Sequence, residues 1–170
     1  MQPNNTLNCI ISRGVNLDEA FIKESIDKFG NIILKAAFSI TGNLSDAEDV
    51  FSDVFFCLWQ KQKIFDSDQH QKAWLIRVAI NKAKNIKKQA FNRYRAELDE
   101  DIIFIKEDDE NRWIRDALNQ LRPKDRVIVY LHYYQGYGYK EIGKMLKIGE
   151  SGVKSRVMRA REKLKGMLRD

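Results

Sequence analysis

The segment Tyr139–Leu164 contains two short runs of helical periodicity separated by a break, and it restricts the possible folds more than any other part of the chain. The first run places three apolar residues on one side of a helix: Ile142, Met145 and Leu146. After a break at Gly149 to Ser151, the second run places four at spacings of three and four: Val153, Val157, Ala160 and Leu164. This pattern predicts a helix-turn-helix. Ser151 is the expected N-cap of its second helix, and Gly143 lets the two helices approach closely.

The second predicted helix has a polar and basic face opposite its apolar stripe. Ser155, Met158 and Arg159 lie on this face, and Lys154 and Arg156 lie at its flanks. Such a helix suits the major groove of DNA, where arginine hydrogen-bonds to guanine and serine or methionine can contact base edges. The alternative interpretation is a solvated basic helix in an ordinary helical bundle.

Composition favours an all-α protein with a polyanionic partner. The 170 residues include only two prolines and nine glycines, and the net charge is +6. Cys9 and Cys57 match no metal-binding or redox spacing, so we expect both to be reduced. No apolar run approaches the roughly 20 residues that span a bilayer, and the N-terminus lacks a signal-peptide pattern. We therefore expect a cytoplasmic protein without a metal or cofactor.

The distribution of charge predicts two small helical domains joined by an acidic linker. Residues 72–95 contain eight basic residues and no acidic residue, whereas residues 97–110 contain eight acidic residues and one lysine. We place an N-terminal tail at 1–16, which we expect to lack fixed structure, a helical domain at 17–92, the linker at 93–110 and a second helical domain at 111–170. The linker is either a simple spacer or a segment that lies in a basic channel.

One helix of the first domain is expected to begin with a capping box made by Ser45 and Glu48. It carries a wide apolar stripe that includes Trp59. Phe56 falls among polar residues on the other side, which suggests a docking surface.

The next predicted helix is a second candidate for DNA contact. Its apolar stripe faces the core, and five residues form the opposite face: Arg77, Asn81, Lys84, Asn85 and Lys88. Asparagine can bond to base edges, and lysine and arginine neutralise phosphates. Trp74, near this face, is interpreted as a core aromatic. The polar residues that precede the helix can form a pocket: Asp66, Ser67, Asp68, Gln69, His70 and Gln71.

From about residue 20 to its C-terminus, the chain resembles the extracytoplasmic-function sigma factors of the sigma-70 family. In the first domain the resemblance depends on ITGNLSDAEDVFSDVFFCLW and AWLIRVAINKAKN, which are similar to family regions 2.1–2.2 and 2.3–2.4. In the second it depends on LRPKDRVIVYLHYYQGYGYKEIGKML and GVKSRVMRAREKL, which are similar to region 4. The resemblance implies a non-catalytic subunit that binds core RNA polymerase, recognises promoter DNA and melts it.

The resemblance also implies roles for individual residues. Five residues would dock on the β′ clamp helices of the polymerase: Asp46, Asp49, Asp53, Phe56 and Trp59. The Arg77–Lys88 face would lie along the −10 element, and the 66–71 loop would hold a flipped base. Ser155, Met158 and Arg159 would read the −35 element in the major groove, with Lys154 and Arg156 at the DNA backbone. The β flap and an anti-sigma factor are further implied partners, and the linker would follow the RNA exit path.

Three positions depart from the usual family pattern. Asp53 stands where glutamine is frequent, Gly143 where alanine is usual, and Ser151-Gly152 where Gly-Thr is commoner. The last departure leaves the first residue of the recognition helix undetermined. It does not change which residues form the face predicted to contact DNA.

Other functions are compatible with parts of the chain. A stand-alone helix-turn-helix regulator would use the second domain but leave the basic face of the first unused. A metal-dependent enzyme would need Asp99, Asp101, Asp108 and Asp109 as ligands, although they lie in the predicted linker. A pure protein-interaction module would not depend on Arg159.

Overall fold

The computed structural model describes residues 19–93 and 117–167, and within these ranges every regular element is helical. The elements are α1 (Glu19–Thr41), α2 (Leu44–Lys61), α3 (Asp68–Arg93), α4 (Pro123–Val129), a π-helical turn (Tyr130–Tyr134), α5 (Tyr139–Leu146) and α6 (Glu150–Met167). The predicted all-α fold class is therefore confirmed. The acidic segment 97–110 lies outside the described residues.

Helices α1, α2 and α3 form the first lobe. Its centre contains side chains with no exposed surface, among them Ile33, Val50, Leu58, Leu75 and Ile76. Helix α1 is continuous through Gly30. A Cβ at Gly30 would lie 3.2 Å from the ring of Phe51, so the missing side chain lets that ring pack closely on α1.

The predicted capping box at Ser45 and Glu48 is wrong, because α2 begins earlier. Asn43 is the N-cap: its Oδ1 accepts a hydrogen bond of 2.8 Å from the backbone N–H of Asp46. Its Nδ2 donates to Asp46 Oδ2 at 2.9 Å. Gly42, with a φ of +81°, makes the turn from α1. Ser45 therefore lies inside the first turn.

The second lobe comprises α4, the π-helical turn, α5 and α6. The predicted apolar stripes are confirmed for Ile142, Met145 and Leu146 of α5 and for Val153, Val157 and Ala160 of α6, which are buried. Leu164, the last residue of the predicted α6 stripe, is half-buried. The guanidinium group of Arg126 is buried and donates hydrogen bonds to the carbonyl oxygens of Leu118, Asn119 and Leu121. It thereby joins α4 to the segment that precedes it.

The two lobes pack against each other through a continuous apolar cluster. This cluster contains Phe29 and Ile33 of α1 together with Val127, Ile128 and Leu131 of the second lobe.

Polar contacts between described residues cross the same boundary. The hydroxyl of Tyr130 donates to the carbonyl oxygen of Ile32 at 3.2 Å. Lys84 Nζ donates to the carbonyl oxygen of Leu146 at 3.5 Å. Lys72 Nζ lies 5.6 Å from the ring centroid of Tyr137. The lobes are thus closed on each other.

Candidate nucleic-acid interface

Helix α6 presents a polar face to solvent, as the sequence predicts. Lys154, Ser155, Met158 and Arg159 are exposed, and Met158 retains 56% of its accessible surface. Val153 and Val157, on the opposite side, hold the helix against α5. The Arg159 Nε donates to the carbonyl oxygen of Ser155 at 3.4 Å, which lays the side chain along its own helix. The face can therefore enter a groove without exposing apolar core.

Arg156 differs from its neighbours on α6. It is half-buried, and its Nη1 donates to Asp125 Oδ1 at 2.9 Å. This ion pair connects α6 to the first turn of α4 and fixes the angle at which α6 leaves the lobe. Sequence reasoning grouped Arg156 with the exposed basic residues, and nothing in the local pattern indicates a partner 31 residues away.

The recognition helix begins before the predicted cap. Helix α6 starts at Glu150, and the N–H of Val153 donates to the carbonyl oxygen of Gly149 at 3.1 Å. Ser151 therefore lies in the first turn, and its assignment as the N-cap is wrong. The turn before it has Lys147 in the left-handed region, with a φ of 58°. The close approach expected at Gly143 is confirmed, because a Cβ there would lie 2.8 Å from the carbonyl oxygen of Ile148.

Helix α3 presents four of its five predicted DNA-contacting residues to solvent: Arg77, Asn81, Asn85 and Lys88. The fifth, Lys84, is half-buried and points toward the second lobe, where it bonds to Leu146. Burial lowers the pKa of Lys84, and the nearby cations Lys124 and Lys147 lower it further. Trp74 is half-buried against the core, as interpreted from the sequence.

The segment before α3 is only partly a loop. Helix α3 begins at Asp68, and the Ser67 Oγ accepts a hydrogen bond of 3.2 Å from the N–H of His70. Gln71 is buried, and its Nε2 donates to Ser25 Oγ at 2.8 Å. Gln71 is therefore unavailable at the surface, whereas residues 66–70 are exposed.

Several contacts hold this exposed corner in place. Lys28 forms an ion pair with Asp68, and the ring of His70 stands edge-on to Phe65 at 5.4 Å between centroids. Asp66 Oδ2 lies 3.3 Å from His70 Nδ1. The corner is thus a polar surface supported by an aromatic side chain.

Helix α2 carries a mixed acidic and aromatic surface. Phe56 and Trp59 expose 54% and 51% of their surface, and their ring centroids are 5.8 Å apart. Asp49 and Asp53 are exposed beside them, whereas Asp46 is half-buried at the N-cap contact. Exposed, adjacent aromatic rings flanked by carboxylates are suited to a protein partner.

Lys82 is a residue that sequence reasoning missed. Its Nζ donates to Asp53 Oδ2 at 2.9 Å, so an ion pair joins the acidic face of α2 to the basic helix α3. The sequence signal for Lys82 was its position next to Asn81 in the basic run of residues 72–95.

Among the described residues there is no group of three or more histidine, cysteine, aspartate or glutamate side chains arranged to hold a metal ion. The four aspartates considered for metal binding lie outside those residues. Within the same ranges, no helix is both long enough and apolar enough to cross a membrane.

Comparison with known families gives two matches along the chain. The family described as sigma-70 region 2 matches residues 26–92, and the family described as sigma-70 region 4 matches residues 111–164.

Individual proteins match over nearly their whole lengths. RNA polymerase sigma factor NccH of Alcaligenes xylosoxydans xylosoxydans is 28% identical over 92% of this chain and 91% of its own. ECF RNA polymerase sigma factor SigW of Bacillus subtilis is 25% identical over 90% of this chain and 91% of its own. Among solved structures, the sigma factor RpoE from Bartonella quintana, in complex with the anti-sigma factor NepR, shares the fold. Its TM-score is 0.71 at 23% identity, over 86% of this chain and 96% of that one.

Proposed function

Because the chain belongs to the sigma-70 family, in its extracytoplasmic-function (ECF) group, it is a sigma factor for RNA polymerase, and we propose how its surfaces divide promoter recognition and melting between them. The observation that carries this proposal is the pair of exposed basic faces, one on α3 and one on α6, each backed by buried apolar residues. One chain thus offers two separate surfaces to one DNA molecule.

The α6 face reads the −35 element in the major groove. Arg159, Met158 and Ser155 are the base-contacting residues, since they are exposed while Val153 and Val157 of the same helix are buried. Lys154 neutralises a backbone phosphate. Arg156 positions the helix through its ion pair with Asp125. Because Asp125 partly neutralises the guanidinium group, Arg156 adds less positive charge to the DNA-binding face than Lys154 does.

The α3 face and the adjoining corner bind the −10 element. Arg77, Asn81, Asn85 and Lys88 follow the strand, and Lys84 joins them when it is released from Leu146. Residues 66–70 hold an unstacked base, which returns part of the few kcal/mol that unpairing costs. This capture drives melting without ATP hydrolysis.

The α2 surface docks on the β′ clamp helices of core polymerase. Phe56 and Trp59 provide apolar area, and Asp49 and Asp53 provide charge that selects a basic partner. The second lobe contacts the β flap, and the acidic segment 93–110 follows the RNA exit path. The protein has no catalytic step of its own and acts in the cytoplasm.

An anti-sigma factor is the proposed regulator. The structural relatives RpoE and CnrH are complexes with the anti-sigma factor NepR and with the cytosolic domain of CnrY, respectively. A partner of this kind would hold the lobes in the closed arrangement.

A gel-shift comparison tests the proposal against a stand-alone regulator. Individual modules with a handful of phosphate contacts bind DNA at micromolar affinity or weaker at physiological salt, and tethering both to one enzyme raises the effective concentration of the second. We expect no tight, specific shift of promoter duplex by the chain alone and a specific shift when core polymerase is added. Tight, specific binding by the isolated chain would support the regulator.

A further inference from the structure

A buried hydrogen bond joins α1 to the start of α3, next to the exposed corner at residues 66–70. The Gln71 Nε2 donates to the Ser25 Oγ at 2.8 Å, across 46 residues of sequence. Ser25 in turn donates to the carbonyl oxygen of Phe21, one turn earlier in α1, at 2.7 Å. Ser25 and Gln71 retain only 2% and 6% of their accessible surface. Both side chains are therefore out of reach of DNA, although Gln71 directly follows the corner proposed to hold an unstacked base.

Gln71 is connected to the corner through hydrogen bonds at the start of α3. Its backbone N–H donates to the carbonyl oxygen of Ser67 at 3.0 Å. The Ser67 Oγ accepts a hydrogen bond of 3.2 Å from the N–H of His70. Ser67 and His70 are both exposed members of the corner. A displacement of Gln71 would therefore also displace the residues that are proposed to contact the base.

A second contact joins the same two helices at the surface. Lys28, one turn beyond Ser25 on α1, forms an ion pair with Asp68, the first residue of α3. Both members of this ion pair are exposed, so water screens it and it tolerates many geometries. A buried hydrogen bond is satisfied only within a narrow range of distance and angle. The bond between Ser25 and Gln71 is therefore the stricter constraint on the position of the corner.

We propose that Ser25 and Gln71 are positioning residues for base capture, and that their buried hydrogen bond holds residues 66–70 in the geometry that selects the captured base. The inference rests on the proposed role of this corner in binding the −10 element. It extends that function to α1, on which no proposed DNA contact lies. Selection of one base over another requires polar groups held to within about 0.5 Å, so a corner that shifts still binds the strand but discriminates less between bases.

Three variants separate positioning from stability. Ser25→Ala removes the acceptor of a buried amide, which destabilises the fold, and Gln71→Met removes the donor while keeping the length of the side chain. In the double variant both polar partners are replaced by apolar groups, so much of the lost stability should return. No hydrogen bond then fixes the position of the corner. The double variant should therefore unfold in urea nearly as the parent chain does and still select bases poorly.

Base selection is measured with the chain bound to core polymerase and to fork-junction DNA whose −10 element, taken from a mapped promoter, is single-stranded. Each −10 position carries the four bases in turn, and the readout is the ratio of affinities for the best base and the others. All three variants should lower this ratio about two- to tenfold at one position, the effect of about one hydrogen bond to the base, and leave the other positions unchanged.

The matched control is Ser39→Ala. Ser39 is a second buried serine of α1, and its Oγ donates to the carbonyl oxygen of Ala36 at 2.7 Å. Its loss should lower stability without changing the base ratio.

Hydrogen exchange in the free chain supplies a readout that does not depend on DNA. The amides of His70 and Gln71 bond to Ser67, so loss of the buried bond should speed their exchange about two- to tenfold. Ser39→Ala should leave the exchange of both amides unchanged.

Recovery of base selection together with stability in the double variant would overturn the proposal, because the pair would then be structural only. Unchanged exchange of the two amides, or a loss of selection in Ser39→Ala as large as in Ser25→Ala, would overturn it as well. A different result would refute the underlying function: if Gln69→Ala and His70→Ala select bases as the parent chain does, the corner does not hold the base, and the positioning role fails with it.

Discussion

A Cβ atom on Gly143 would stand 2.8 Å from the carbonyl oxygen of Ile148, closer than real Cβ atoms come to such an atom. Gly143 also accepts a hydrogen bond of 3.0 Å from the N–H of Ile148, so the two residues close the turn between α5 and α6. The turn is tight because Lys147 adopts a left-handed conformation. The usual alanine of the family at position 143 would not fit this turn without movement of backbone.

Gly143→Ala should therefore destabilise the second lobe. Forcing a methyl group against backbone costs about 1–3 kcal/mol, in contrast to the usual gain from alanine in a helix. The matched control is Gly152→Ala, because a Cβ there meets nothing within 4 Å and should stabilise α6 by about 0.5–1 kcal/mol. Urea unfolding of the two variants measures both effects. Equal stabilisation by the two alanines would show that the turn is not as tight as described.

Arg159→Ala should alter promoter choice, whereas Lys88→Ala should not. Loss of an arginine that bonds to a base is expected to cost about 1–3 kcal/mol at one upstream base pair, and loss of a phosphate-binding lysine should weaken all sequences alike and reduce the salt slope by about one. Affinities of the polymerase complex for a set of single-base promoter variants, at several salt concentrations, give both numbers. Identical base preferences before and after the Arg159 change would count against the −35 assignment.

Asp49→Arg should abolish capture of core polymerase. Asp49 is exposed on the same face of α2 as Phe56, so a reversed charge there would repel a basic partner without disturbing the core. Pull-down by the tagged chain measures capture, and circular dichroism checks that helicity is retained. Glu24→Arg is the control, since it reverses an exposed charge on α1. Undiminished capture by Asp49→Arg would place the docking face elsewhere.

Stability should fall at alkaline pH because of Tyr130. Burial raises the pKa of Tyr130 above its usual 10.0, and the raised value belongs to the folded, closed state. The stability contributed by the neutral phenol is therefore complete below about pH 10 and is lost as the pH rises toward the folded-state pKa. Absorbance titration should show one late-ionising tyrosine fewer in Tyr130→Phe than in the parent chain. A parent chain whose tyrosines all titrate near pH 10 would contradict the described burial.

Periodicity was sufficient to predict the elements and most of their buried sides. It was wrong for Trp59, which it placed in the apolar stripe of α2 and which is half exposed. The stripe at Val153, Val157 and Ala160 is buried, and Phe56 is exposed, as a spacing of 3.6 residues requires. Which side of a helix is apolar depends only on the residues of that helix, so the local sequence is enough to predict it. The recognition face of α6 follows from the same geometry.

The first residue of each helix was harder to predict from the sequence, because several neighbouring residues are able to cap the same helix. Asn43 with Asp46 and Ser45 with Glu48 are both plausible cap pairs two residues apart, and Gly42 decides between them by turning the chain just before Asn43. At α3, Ser67 is the cap, so Gln71 falls inside the helix and is buried.

Contacts between distant segments could not be predicted from pattern. Lys84 differs from Asn85 and Lys88 only because the second lobe lies over it, and Arg156 differs from Lys154 only because Asp125 is near. Each of these two contacts depends on packing between elements that are far apart in the chain. A helical wheel describes one helix and gives no information about such packing.

The most direct measurement is transcription by core polymerase reconstituted with this chain, on genomic templates, with start sites mapped at single-base resolution. Two separate DNA-binding faces on one sigma factor predict accurate starts at a set of promoters that share two conserved elements, and loss of starts when either element is replaced. Absence of accurately initiated transcripts from every template, or starts that depend on only one element, would contradict the account.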